Sequence, residues 1–65
     1  MATFKYRLID GHEYLQDADY YEVVQYEKEN LRKEISIVTE YIFWKDGVDV
    51  WRVPAMFMEK IREID

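Results

Sequence analysis

The chain has two glycines, and each follows an aspartate: Asp10-Gly11 and Asp46-Gly47. Glycine accepts the positive φ a tight turn demands, so Asp-Gly between alternating apolar residues is a hairpin signal. Before the first pair, Phe4, Tyr6 and Leu8 alternate with Lys5 and Arg7, the period of a half-buried strand. With Ile9-Asp10-Gly11 as the loop, Leu8 faces His12, Arg7 faces Glu13 and Tyr6 faces Tyr14. Opposite charges and paired aromatics are what cross-strand neighbours favour. Around the second pair, Ile35 to Trp44 reads as a long strand with apolar residues on both faces, and Val48 to Val53 returns. A three-residue loop, Lys45-Asp46-Gly47 with Gly47 left-handed, pairs Trp44 with Val48, Ile42 with Val50 and Glu40 with Arg52. It also sets Tyr41 against Trp51 and Thr39 against Val53. A two-residue loop would place Trp44 opposite Asp49, the poorer match. Pro54 ends the returning strand because it cannot donate to a ladder.

Two stretches admit more than one structure. Asp19-Tyr20-Tyr21-Glu22 has the form of a capping box, which would open a helix running to Lys33. Yet Tyr20 to Tyr26 is packed with β-formers that crowd a helix at χ1, and Lys28 to Lys33 is polar. The preferred assignment is strand, turn, strand. After Pro54, the spacing of Phe57, Ile61 and Ile64 suits a closing helix, while a helical turn at Pro54-Ala55-Met56 followed by a last strand is equally allowed. With 65 residues the chain fits one small domain, residues 1–65, whose core is marginal. The expected fold is mainly β: a small curled antiparallel sheet or five-stranded barrel with a short helical turn near Pro54. The alternative is α+β, with a helix over 19–33, a hairpin over 35–53 and a C-terminal helix.

The order of features resembles small SH3-like and Sm-like five-stranded β-barrels. The likeness is carried by a strand ending Leu8-Ile9-Asp10-Gly11, an acidic second strand, a bent third strand and the Lys45-Asp46-Gly47 hairpin. The ending Val53-Pro54-Ala55 with Met58-Glu59-Lys60-Ile61 completes it, since in such barrels a helical turn precedes the closing strand. The resemblance implies architecture and not function. Sm-type rings read RNA through loop residues, and here only Lys28, Arg32 and Lys33 could supply a basic loop patch.

Charge bears on partners. The net charge is −5, against the basic footprint that phosphate binding needs, so nucleic acid is not an expected partner. Between Arg7 and Lys28 there is no Lys or Arg, and Asp10, Glu13, Asp17, Asp19, Glu22 and Glu27 lie in the gap. Such a run ordinarily forms a solvated face that aids solubility. Interleaved with Tyr14, Tyr20 and Tyr21, it can also steer a partner protein with a basic surface. Aromatic residues make 17% of the chain and hydrophobic ones 49%, more than one small core encloses, so apolar surface is expected at an interface. Trp44 and Trp51 flank one turn, and either can serve as core or as contact. Met56, Phe57 and Met58 would add an adaptable apolar surface.

Catalytic chemistry is thin. Cysteine is absent, which removes thiol nucleophiles, thiolate metal sites and disulfides. His12 is the single histidine and Ser36 the single serine, with no nucleophile-elbow setting around either. Two glycines cannot build a P-loop or a dinucleotide fingerprint. Asp17-x-Asp19-x-x-Glu22 gathers carboxylates without the spacing of a calcium loop, so solvated acids are the default. No catalytic residue, metal ligand or cofactor is expected, nor a membrane span, and the N-terminus lacks the pattern of a signal peptide. A cytoplasmic, non-enzymatic interaction protein follows. Asp10, Glu13, Asp17, Asp19 and Glu22 would steer, and Tyr14, Tyr20, Tyr21 and Trp51 would supply contact area. In size and acidity it is similar to phage or mobile-element proteins that inhibit a host factor. The alternative is a homo-oligomer binding a small ligand or nucleotide at subunit junctions, suggested by the doubly apolar strand Ile35 to Trp44.

Overall fold

A computed structural model describes residues 2–64; Met1 and Asp65 lie outside the described residues. Six strands form: β1 Ala2–Leu8, β2 Glu13–Ala18, β3 Tyr20–Glu29, β4 Ile35–Lys45, β5 Val48–Pro54 and β6 Met58–Glu63. A 3₁₀ turn, Ala55–Phe57, joins β5 to β6. The fold is mainly β, as expected, in a single small domain of two antiparallel sheets. Sheet A has the order β2-β1-β6 and sheet B the order β3-β4-β5. The sheets do not close into a barrel, and the strands number six where about five were expected. The acidic stretch after His12 breaks at Asp19, where the chain passes from sheet A to sheet B. Ala18 is fully buried at this corner, and the Asp19 N–H donates to the Trp44 carbonyl at 2.7 Å. Residues 19–33 form strand and turn, not helix, and the C-terminal stretch takes the turn-then-strand form.

The first hairpin has the expected register, with Tyr6 opposite Tyr14 and Arg7 opposite Glu13. Gly11 sits at φ 92°, and its N–H closes the loop on the Leu8 carbonyl at 2.9 Å. The β4–β5 hairpin departs from expectation. Its loop has two residues, with Lys45 opposite Val48 and Trp44 opposite Asp49. Asp46 at φ 53° and Gly47 at φ 77° both adopt positive φ, the turn whose twist matches a hairpin. The Asp46 N–H donates to the Asp19 carboxylate at 2.9 Å, which holds the turn against the sheet corner. Asp49 is not stranded beside the indole, because Arg52 donates to it at 2.6 Å. A bulge after Trp44 then shifts the register, so that Phe43 faces Trp51, Ile42 faces Arg52 and Tyr41 faces Val53. Past the bulge the expected partners of Ile42, Tyr41 and Glu40 are each displaced by two residues on β5, so those side chains keep their expected faces. Trp44 moves by one, from Val48 to Asp49, and Thr39 loses its expected pairing with Val53.

The core lies where the two sheets cross. Phe4, Tyr6, Ala18, Phe43 and Val53 are buried, with Leu8, Tyr21, Tyr41, Met58 and Ile61 packed around them. Phe4 meets Tyr21 edge-on at 5.2 Å, and Tyr6 stacks between Tyr14 and Phe43 at 5.4 and 5.7 Å. Such pairs add to area burial, which matters in a core this small. Ile42 is also buried, but on the outer face of sheet B, beside Trp44 and Arg52 in the strand pattern. Among the described residues no helix is long and apolar enough to cross a membrane.

Candidate functional site: an aromatic cleft at the sheet crossing

The alternation of β1 turns Phe4, Tyr6 and Leu8 toward sheet B, and the first hairpin's register carries Tyr14 to the same side of sheet A. On sheet B, the bulge in β5 places Trp51 opposite Phe43, hence on the face turned toward sheet A. Tyr14 and Trp51 therefore converge on Tyr6. Tyr14 stacks on its ring, and the Trp51 Nε1–H donates to its hydroxyl at 3.0 Å. Leu8, Val53, Pro54 and Phe57 complete a cleft of about 230 Å³, room for one or two side chains. Trp51 remains 52% exposed, so its ring forms a wall and not a plug. Pro54 ends β5 and the 3₁₀ turn that follows sets Phe57 at the cleft's edge. Burial pushes the Tyr6 phenol above its ordinary pKa, partly opposed by the Trp51 hydrogen bond and aided by Tyr14.

The remaining expected site residues are dispersed. Tyr20 stacks on Trp44 on the outer face of sheet B, and the Trp44 Nε1–H donates to Glu22 at 2.8 Å. Tyr21 is half-buried in the core against Phe4, Tyr41 and Phe43. Glu13 lies on the outer face of sheet A, 3.5 Å from both Lys5 and Arg7. Lys5 first, then Arg7, hold its carboxyl below the usual range. Asp17 accepts from the Thr3 hydroxyl at 2.9 Å, and Asp19 caps the Asp46 turn. Asp10 accepts the His12 backbone N–H at 2.9 Å, the main reason its carboxyl titrates low, and also meets the imidazole at 3.0 Å. Asp17, Asp19 and Glu22 are directed to three different partners, and among the described residues no three of His, Asp and Glu gather to hold a metal ion.

Tyr14 and Trp51 were expected as contact residues and Phe57 as part of an apolar surface, whereas Tyr6, Leu8 and Pro54 were not expected beside them. The signal for Tyr6 was present in its cross-strand pairing with Tyr14. Phe57 could not have been placed, because its position follows from where the turn after Pro54 lands on sheet A. No protein-family model matches the chain, and no curated protein or solved structure matches it.

Proposed function

We propose that this protein is a non-enzymatic docking protein that takes an apolar or aromatic side chain of a basic partner protein into the Tyr6–Tyr14–Trp51 cleft. The carrying observation is the convergence of two half-exposed aromatic rings on a buried, hydrogen-bonded tyrosine. Rigid aromatic walls offer large contact area at low conformational cost, the property of binding hot spots. The net charge of −5 supports the basic partner, because steering acts through the summed field and does not need the acids in one patch. Arg52, at the cleft, is tied to Asp49, which lowers the carboxyl of Asp49 and leaves little free positive charge there to repel such a partner. Inhibition of a host factor by occlusion is a role consistent with this size and charge.

A peptide array read with the purified protein tests the reading. Captured peptides should share an apolar or aromatic anchor flanked by Lys or Arg. Trp51→Ala should weaken the captured set by about tenfold or more, while Tyr20→Ala, on the opposite face, should leave it within about threefold. Capture that ignores Trp51→Ala, or peptides lacking an anchor, would overturn it.

A further inference from the structure

Four strands end a sheet, and they differ in how they are protected. β2 and β6 are short, and β6 pairs with β1 across a register shift. β5 carries a bulge and ends in Pro54. These are devices that blunt an edge. β3 has none of them: it runs ten residues, Tyr20 to Glu29, without proline, and pairs with β4 in unbroken register. Among the described residues no strand borders its other side.

The polarity of that edge follows from the ladder. The Asn30 N–H donates to the Glu34 carbonyl at 3.1 Å, continuing the β3–β4 register. Hydrogen-bonded and open pairs alternate in an antiparallel ladder. Even-numbered residues of β3 therefore bond to β4, and Tyr21, Val23, Gln25, Glu27 and Glu29 turn their N–H and C=O groups outward.

We infer that this edge pairs with the same edge of a second copy, antiparallel about a two-fold axis at Gln25, making one six-stranded sheet across the dimer. The strand is self-complementary in that register. Glu22 falls opposite Lys28 of the second copy, and Lys28 opposite Glu22; Val24 falls opposite Tyr26. Moving the axis to Val24 or to Tyr26 loses both Glu–Lys pairs. Lys28 has no carboxylate within 4 Å among the described residues, and Glu22 uses one oxygen for the Trp44 indole and keeps the other. The pairing also sets the exposed inner residue Val23 opposite Glu27 of the second copy instead of open water.

Sedimentation equilibrium from micromolar to millimolar protein tests this. The wild type should be a dimer in that range. Lys28→Glu should raise the dissociation constant by about tenfold or more, because like charges then face each other twice. The double variant Glu22→Lys, Lys28→Glu should return it to within about threefold of wild type. Gln25→Pro removes an outward N–H at the axis without touching the β4 ladder, and should give monomer with an unchanged circular dichroism spectrum. A wild type that stays monomeric, or a dimer indifferent to both Lys28→Glu and Gln25→Pro, would overturn the pairing.

Discussion

The two ends of the β3–β4 hairpin carry the same alternation of apolar residues and meet different surroundings. At one end Tyr21, Tyr41 and Phe43 lie beneath sheet A, and Phe43 is fully buried. At the other, Ile35, Ile37 and Leu31 face solvent, with Ile37 72% exposed. Strand pairing runs unbroken through both, from Tyr20 opposite Trp44 to Glu29 opposite Ile35. The backbone ladder, with cross-strand bonds from Gln25 to Thr39 and from Tyr26 to Glu40, thus carries the hairpin past the edge of the core. The turn helps: Asn30 accepts the N–H groups of Arg32 and Glu34 at 2.8 and 3.0 Å, which closes the loop without tertiary support. Side-chain burial, not pairing, separates the two ends, and stability should be unequally divided between them.

Substitutions at matched positions probe that division. The largest effect is expected at Phe43→Ala, which empties the centre of the crossing and should cost about 3–5 kcal/mol in urea unfolding. For a domain this small such a loss approaches its whole stability, so Phe43→Leu serves as the milder companion, with a smaller loss of the same sign. A minor effect from both would show that the sheets do not depend on their shared core.

An intermediate effect is expected at the cleft. Tyr6→Phe removes the acceptor of the Trp51 indole and should cost roughly 0.5–1.5 kcal/mol at neutral pH. It should also change the alkaline limb. The folded state holds the Tyr6 phenol above its ordinary value of about 10. The unfolded chain therefore releases that proton first. The contribution of Tyr6 is fully present below the unfolded value and is lost as pH rises through the raised, folded one. The variant should lose less stability than wild type over that interval, measured as the fall in urea midpoint. An identical fall would place the alkaline sensitivity elsewhere, with Tyr26, whose hydroxyl donates to Glu40 and is also raised, as the next position to vary.

The smallest effect belongs to the arm. Ile37→Ser should change the stability of the monomer by no more than about 0.5 kcal/mol, since the side chain is already in water. A loss comparable to that at Phe43 would mean the arm is covered in solution.

Much of this architecture was legible from local chemistry. The Asp10-Gly11 hairpin was readable down to its register, because a left-handed glycine, a salt-bridging pair and an aromatic pair all required the same alignment. The strand–turn–strand assignment over 19–33 rested on β-branched and aromatic residues from Tyr20 to Tyr26, and it holds although the capping-box pattern pointed to a helix. The β4–β5 register was not legible. Judged from the pair alone, Trp44 opposite Asp49 is poor. It becomes acceptable only because Arg52, three residues along β5, pairs with Asp49, while Tyr20, Glu22 and Asp19 arrive from elsewhere in the chain to satisfy Trp44 and hold the turn. Among the candidate site residues, Tyr14 and Trp51 were identifiable as large aromatic rings beside turns, but their meeting at Tyr6 depends on the β5 bulge and the crossing of the sheets.

By itself, then, the sequence determined the mainly β class, the first hairpin with its register and the polar turn after β3, since these follow from a period of two residues and from local φ preferences. The tertiary structure decided that the strands divide into two sheets at Asp19, that the second hairpin shifts by two residues, and that Tyr6, Tyr14 and Trp51 share one cleft. Those outcomes depend on contacts between residues far apart in the chain, whose energies exist only once the sheets have crossed.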